Sequence, residues 1–236
     1  MNILPDGFVD LAQGQSSIQL DLSYAKDTNC MGRPIRGYNT PNCLILTEQA
    51  ALALQKAEAQ FNKDGFTILV YDAYRPQQAV NDIQEWSKNP EDNINEKYFY
   101  PHIQKSELFE QGYLIEKSSH SRGSTVDLSL LRLGESFHRF EPVIKKFKNG
   151  QEIYFLEDGS INMGTSFDFF GPLSHTGNPN IEVEAQNNRH YLKSVMESCG
   201  FEGYSYEWWL FTLKNEPFVG TCFDFPIEEG LIVISN

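Results

Sequence analysis

The sequence predicts an α+β fold, a single domain in which helices flank a mainly antiparallel central sheet. Three observations predict it. One long helix reads from the N-cap Thr47 to about Asn62 with Gly65 beyond it, and another places Asn188, Leu192, Val195, Met196 and Cys199 on one stripe before Gly200. Two further segments, Phe66–Tyr71 and Ser124–Leu131, read as strands. Strands and helices are mixed without the regular βαβ alternation that builds a parallel sheet. The chain has 236 residues, enough to bury a full core. No repeat or low-complexity linker divides it, so residues 1–236 read as one domain.

Residues 1–42 are rich in turn formers, among them Thr28-Asn29, Gly32-Arg33-Pro34 and Thr40-Pro41-Asn42, and read as a loop-rich arm. Thr47 then serves as the N-cap of a helix running to about Asn62. After strand 66–71, Pro76 fits the first position of a second helix, in which Ala79, Val80, Ile83 and Trp86 share one face. Residues 88–111 read as irregular, and Gly112–Lys117 as a short strand. In Ser124–Leu131, Val126, Leu128 and Leu130 face one way and Thr125, Asp127 and Ser129 the other. Residues 132–160, with mixed charges and the turn Glu157-Asp158-Gly159-Ser160, read as an insertion with room for a hairpin. A helix over Ala185–Cys199 and an aromatic strand over Glu207–Leu213 complete the set.

Composition narrows the function classes. Hydrophobic residues are 40% and charged residues 22%, ordinary for a globular protein. The net charge of −13 argues against nucleic acid, which needs a basic footprint, and against anionic membrane surfaces. No apolar run is long enough to span a membrane. The N-terminus lacks a basic stretch followed by an apolar one, so the expected compartment is the cytoplasm, or the periplasm if a leader has been removed. Cys30, Cys43, Cys199 and Cys222 form no Cys-x-x-Cys unit and read as free thiols, with one or two disulfides as the alternative for an exported form. Oligomeric state is not legible.

Four segments carry candidate chemistry. Ser118-Ser119-His120-Ser121-Arg122-Gly123 places a histidine in a turn, and Asp127 follows in an apolar strand. An imidazole nitrogen with a carboxylate oxygen is a common pair of zinc ligands; the alternative is a hydrogen bond closing the turn. Glu207, among Tyr206, Trp208, Trp209 and Phe211, sits where apolar packing raises a carboxyl toward the range of a general base, or is a surface residue before a strand. Arg75 stands at a strand-to-helix turn and suits an oxyanion or carboxylate, or an ordinary ion pair. Asp168 ends the turn Asn162–Phe167 and can meet an ammonium group or cap the turn.

Together and in this order, these segments resemble the D-alanyl-D-alanine dipeptidases linked to vancomycin resistance, within the zinc D,D-peptidases. The likeness also includes Leu22-Ser23-Tyr24-Ala25, Gly32–Tyr38, Asn188-Arg189 and Glu207-Trp208-Trp209, and so spans nearly the whole chain. The resemblance implies one zinc, with His120 and Asp127 as the first two ligands. It implies Glu207 as general base, Arg75 as oxyanion stabiliser, Asp168 and Ser118 at the dipeptide's termini, and Tyr24 and Tyr38 lining a small pocket. The substrate implied is a small dipeptide. The departure is at position 210. The family's last motif reads Glu-x-x-His, with the histidine as third ligand; here the residue is Leu210. His102, His138, His175 and His190 lie in no segment that matches a ligand. The expectation is therefore a dipeptidase impaired in its metal, against a silent dipeptide-binding protein or a cell-wall peptidase of the same fold.

Overall fold

The computed structural model describes residues 3–14, 16–138 and 141–230. The N-terminal stretch is threaded by short strands β1 (Phe8–Asp10) and β2 (Gln19–Leu20), and a third, β3 (Ile45–Thr47), pairs antiparallel with β1. The Thr47 hydroxyl accepts from the Ala50 N–H and opens helix α1, Glu48–Lys63. The cap satisfies a donor that the first turn leaves free. Gly65, at φ 84°, reverses the chain into β4, Phe66–Asp72. Helix α2 (Gln77–Ser87) starts after Pro76 and buries Ala79, Val80, Ile83 and Trp86. The expected irregular stretch holds one short α-helix, α3 (Glu96–Phe99), and a 3-10 turn at Lys105–Glu107.

Strand β5 (Thr125–Arg132) is buried on both faces from Thr125 to Leu131. The polar face expected at Thr125, Asp127 and Ser129 is thus an interior face, from which Asp127 lines the cavity described below. The stretch after it holds a two-stranded hairpin, β6 (Glu141–Lys146) with β7 (Glu152–Glu157). Helix α4 (Val183–Ser198) buries Ala185, Arg189, Leu192, Val195 and Met196 and is followed by Gly200 at φ 100°. Strands β8 (Phe201–Gly203) and β9 (Leu210–Leu213) follow.

The central sheet has five strands in the order β2-β4-β5-β9-β8. Only β2–β4 is parallel; the other neighbours are antiparallel. Helix α1 packs on β4, and α4 packs on α1 and β8. No helix among the described residues is long and apolar enough to cross a membrane. All four cysteines are free.

Two expected strands are corrected. Gly112–Lys117 joins no ladder, because the N–H groups of both Tyr113 and Leu114 are spent on the Leu108 carbonyl in a local turn. The expected strand Glu207–Leu213 begins only at Leu210. Glu207 N–H bonds Tyr204 O and Trp208 N–H bonds Ser174 O, which bends the chain before the ladder starts.

Candidate active site

His120 stands in a one-turn 3-10 helix, Ser119–Arg122, immediately before β5. Ser118 caps this turn by accepting from the His120 N–H. Gly123 closes it at φ 78°, and a Cβ there would meet the Phe8 ring at 2.2 Å. The turn is therefore held against the core on a residue that only glycine fits. His120 is 1% exposed, and its Nδ1 lies 2.7 Å from the Ala73 carbonyl. A carbonyl only accepts, so Nδ1 carries the proton. The other nitrogen, Nε2, faces Asp127 Oδ2 at 3.3 Å. Neither Nε2 nor Asp127 Oδ1 has a hydrogen-bond partner. An unprotonated Nε2 3.3 Å from the buried Asp127 carboxylate calls for a cation or a proton between them.

Asp72, at the end of β4, was not among the expected site residues. The β4–β5 register shifts between Val70 and Asp72, setting Asp72 opposite Asp127. Such a bulge re-aims a side chain. Asp72 accepts from Tyr38 Oη at 2.6 Å and from Arg75 Nε at 2.9 Å, with Arg75 Nη2 at 2.8 Å. One ligand atom each from Asp72, His120 and Asp127 lie within 4.8 Å of one another, a buried group able to hold a metal ion. Within it, Asp72 lies on the Nδ1 side of the ring, 3.4 Å away, with its Oδ2 already taken by Arg75. Its geometry is that of an orienting partner behind a ligand. Burial raises the Asp72 pKa, while Arg75 and His120 pull it back. Arg75 Nη2 also lies 3.6 Å from Asp127 Oδ2, and the guanidinium sits 4.8 Å above the Tyr24 ring.

Asp168 adopts φ 57°, the one left-handed non-glycine residue among those described. It accepts from Tyr24 Oη at 2.8 Å. Such backbone strain persists only where surrounding structure fixes it. Glu207 is 6% exposed in the bend before β9, and burial, then the nearby Asp127 and Asp168, hold its carboxyl well above the usual range. Leu210 is the register partner of Asp127 in the β5–β9 ladder. Directly opposed residues share a face, with Cβ atoms roughly 5 Å apart.

These groups meet at one cavity of about 400 Å³. Arg75, Ser118, His120, Asp127, Asp168 and Glu207 line it, as do Tyr24 and Leu210. Tyr38 does not; its hydroxyl is spent on Asp72 and its ring stands edge-on behind Tyr24. The one sequence signal for Asp72 was a carboxylate at a strand end three residues before Arg75. A catalytic zinc site takes three protein ligands and one open position. His120 Nε2 and Asp127 are donors of the kind such a site uses, with Asp72 in the same buried group, and Leu210, paired with Asp127, offers none.

The buried carboxyls make stability pH-dependent. Burial, then the Asp127 charge, push Asp168 up to about 8 from its ordinary 3.8. The folded chain therefore keeps a proton that the unfolded chain has released, so stability falls as pH rises toward 8. Glu207 acts in the same direction. His175, lowered by burial and Arg189, acts the other way, below its ordinary 6.5. Chemical denaturation with chelator present should show the protein about 1–2 kcal/mol less stable at about pH 8 than at about pH 6.5. Equal stability at the two values would mean that Asp168 is already ionised at the lower one.

The profile of the D-ala-D-ala dipeptidase family matches residues 5–137 and 151–228. The chain is 36% identical over 223 residues to the D-alanyl-D-alanine dipeptidase of Enterococcus faecium, covering 94% of this chain and 98% of that protein. It is 37% identical over 213 residues to that of Streptomyces coelicolor, covering 90% and 94%. The Escherichia coli D-alanyl-D-alanine dipeptidase is 31% identical over 211 residues, covering 88% and 84%.

Proposed function

The chain belongs to the D-ala-D-ala dipeptidase family, and from that premise we propose that its cavity takes the D-alanyl-D-alanine dipeptide and that zinc-dependent hydrolysis of it is impaired at Leu210. One observation carries this reading. His120 and Asp127, whose buried Nε2 and Oδ1 have no hydrogen-bond partner, line the cavity that Arg75, Asp168 and Glu207 share, and the residue paired with Asp127 is Leu210.

A zinc ion held by His120 and Asp127 would supply Lewis-acid polarisation. The chain's own residues do the rest. Glu207, its carboxyl raised by burial and by the nearby Asp127 and Asp168, takes a proton from the attacking water and returns it to the leaving amine. Arg75, fixed by Asp72, meets the oxygen on which charge develops. Asp168, steadied by Tyr24, pairs with the dipeptide ammonium, and Ser118 lies at the other terminus. An ammonium beside Asp168 favours its charged form, so binding draws off the proton that burial keeps there.

Asp168 supplies a direct test. Acetylating the dipeptide's amino group should abolish binding, and Asp168→Ala should do the same to the free dipeptide. Calorimetry on the metal-free protein reads both. Equal binding of acetylated and free dipeptide would remove Asp168 from the recognition site.

A second reading, a catalytically silent dipeptide-binding protein, is favoured by Leu210 itself, which keeps the cavity wall apolar where a donor is needed. Tight dipeptide binding with no turnover, at saturating zinc, distinguishes it from an impaired enzyme.

A further inference from the structure

Arg189 is 1% exposed in the middle of α4 and makes no ion pair with a carboxylate among the described residues. Its fork is spent on backbone. Nε donates to Met163 O at 2.6 Å, Nη1 to His175 O at 2.8 Å, and Nη2 to Leu173 O at 3.0 Å. All three carbonyls belong to the segment 163–175 that carries Asp168. Nη2 also reaches Thr165 Oγ1 at 3.4 Å. Burial without a counter-charge lowers the Arg189 pKa to about 9, so the cation is held at a cost.

Two hydrogen-bond paths run from this fork to the cavity. Thr165 Oγ1 accepts from Trp208 Nε1 at 2.9 Å, and Trp208 is the neighbour of Glu207. Thr165 Oγ1 also pairs with Ser174 Oγ at 2.9 Å, and Ser174 Oγ donates to the carbonyl of Phe169, the neighbour of Asp168. The Ser174 carbonyl in turn accepts from Trp208 N–H at 3.2 Å. The strained φ of Asp168 sits at the apex of this construction.

We propose that Arg189 is a positioning residue: its guanidinium clamps the 163–175 segment so that Asp168 and the Glu207–Trp208 bend keep a fixed spacing across the cavity. A lysine, with one nitrogen on a flexible stem, cannot span carbonyls that a planar fork reaches together. The effect on ligand binding rests on the reading of Asp168 as the ammonium site; the effect on the segment does not.

The test compares Arg189→Lys and Thr165→Val with the unmodified chain in two measurements. Amide hydrogen exchange reads the segment, and calorimetry reads the affinity ratio of free to N-acetylated D-alanyl-D-alanine. In Arg189→Lys, exchange should quicken within 163–175 while α1 and β4 stay protected. The preference for the free dipeptide should fall roughly 10- to 100-fold, the scale of a small misplacement of a binding group. Thr165→Val removes the shared hydroxyl and should move both readouts the same way, less far; if Arg189→Lys does not fold, it carries the test. A folded variant with the affinity ratio intact, or with exchange quickened evenly over the whole chain, would make Arg189 a general stabiliser and overturn the proposal. If the unmodified chain binds no dipeptide, the reading of the cavity falls instead. The clamp is then judged on exchange alone, kept by quickening confined to 163–175 and overturned by its absence.

Discussion

Leu210→His should turn a weak zinc binder into a stoichiometric one and raise D-alanyl-D-alanine hydrolysis by at least roughly 10- to 100-fold, since even outer partners of a metal are worth that much. The expectation is geometric. Position 210 is the register partner of Asp127, so a side chain there rises from the same face of the sheet. His120 Nε2 already lies 3.3 Å from Asp127 Oδ2. An imidazole at 210 would bring the protein ligands to three, the number a catalytic zinc site takes. Histidine and leucine are of similar bulk, and Leu210 is only half-buried, so the fold should tolerate the exchange. Metal analysis after dialysis and a steady-state assay check it. Zinc content no higher in the variant would show that position 210 does not face the metal.

In that zinc-competent background, Arg75→Ala should lower turnover by about 10²–10³, the scale for a lost oxyanion donor, with a smaller change in the Michaelis constant. A group acting mainly on the transition state shows this pattern. Arg75 is held for the task by Asp72 at 2.8 Å and lies over the Tyr24 ring. The same contacts mean that its removal leaves Asp72 buried without its cation, so stability should be measured alongside. A loss confined to the Michaelis constant would make Arg75 a binding group only.

Much of this was legible in the sequence, for physical reasons that differ by element. The α1 boundaries followed from a capping hydroxyl at Thr47 and a left-handed glycine at 65, both local effects. Strand β5 was legible from its apolar alternation, yet its polar face was not readable as interior, because the cavity over it is assembled from distant segments. Gly112–Lys117 was misread because strand propensity says nothing of where the amides go; here they turn back on Leu108. His120 stood out as a histidine in a Ser- and Gly-rich turn, and Asp127 as a carboxylate within an apolar strand. Asp72 did not, since its place depends on a bulge between β4 and β5. Arg189 is buried on α4 with Ala185, Leu192, Val195 and Met196, and only the folded segment 163–175 gives its charge a use.

The central claim, that this chain keeps the dipeptide cavity but lacks a full set of zinc ligands, is tested most directly by the zinc content of the unmodified protein, measured together with its hydrolysis of D-alanyl-D-alanine. The account predicts zinc well below stoichiometric after dialysis and slow or absent hydrolysis. Stoichiometric zinc with full dipeptidase activity would contradict it, and would mean that a residue other than the one at position 210 provides the third ligand.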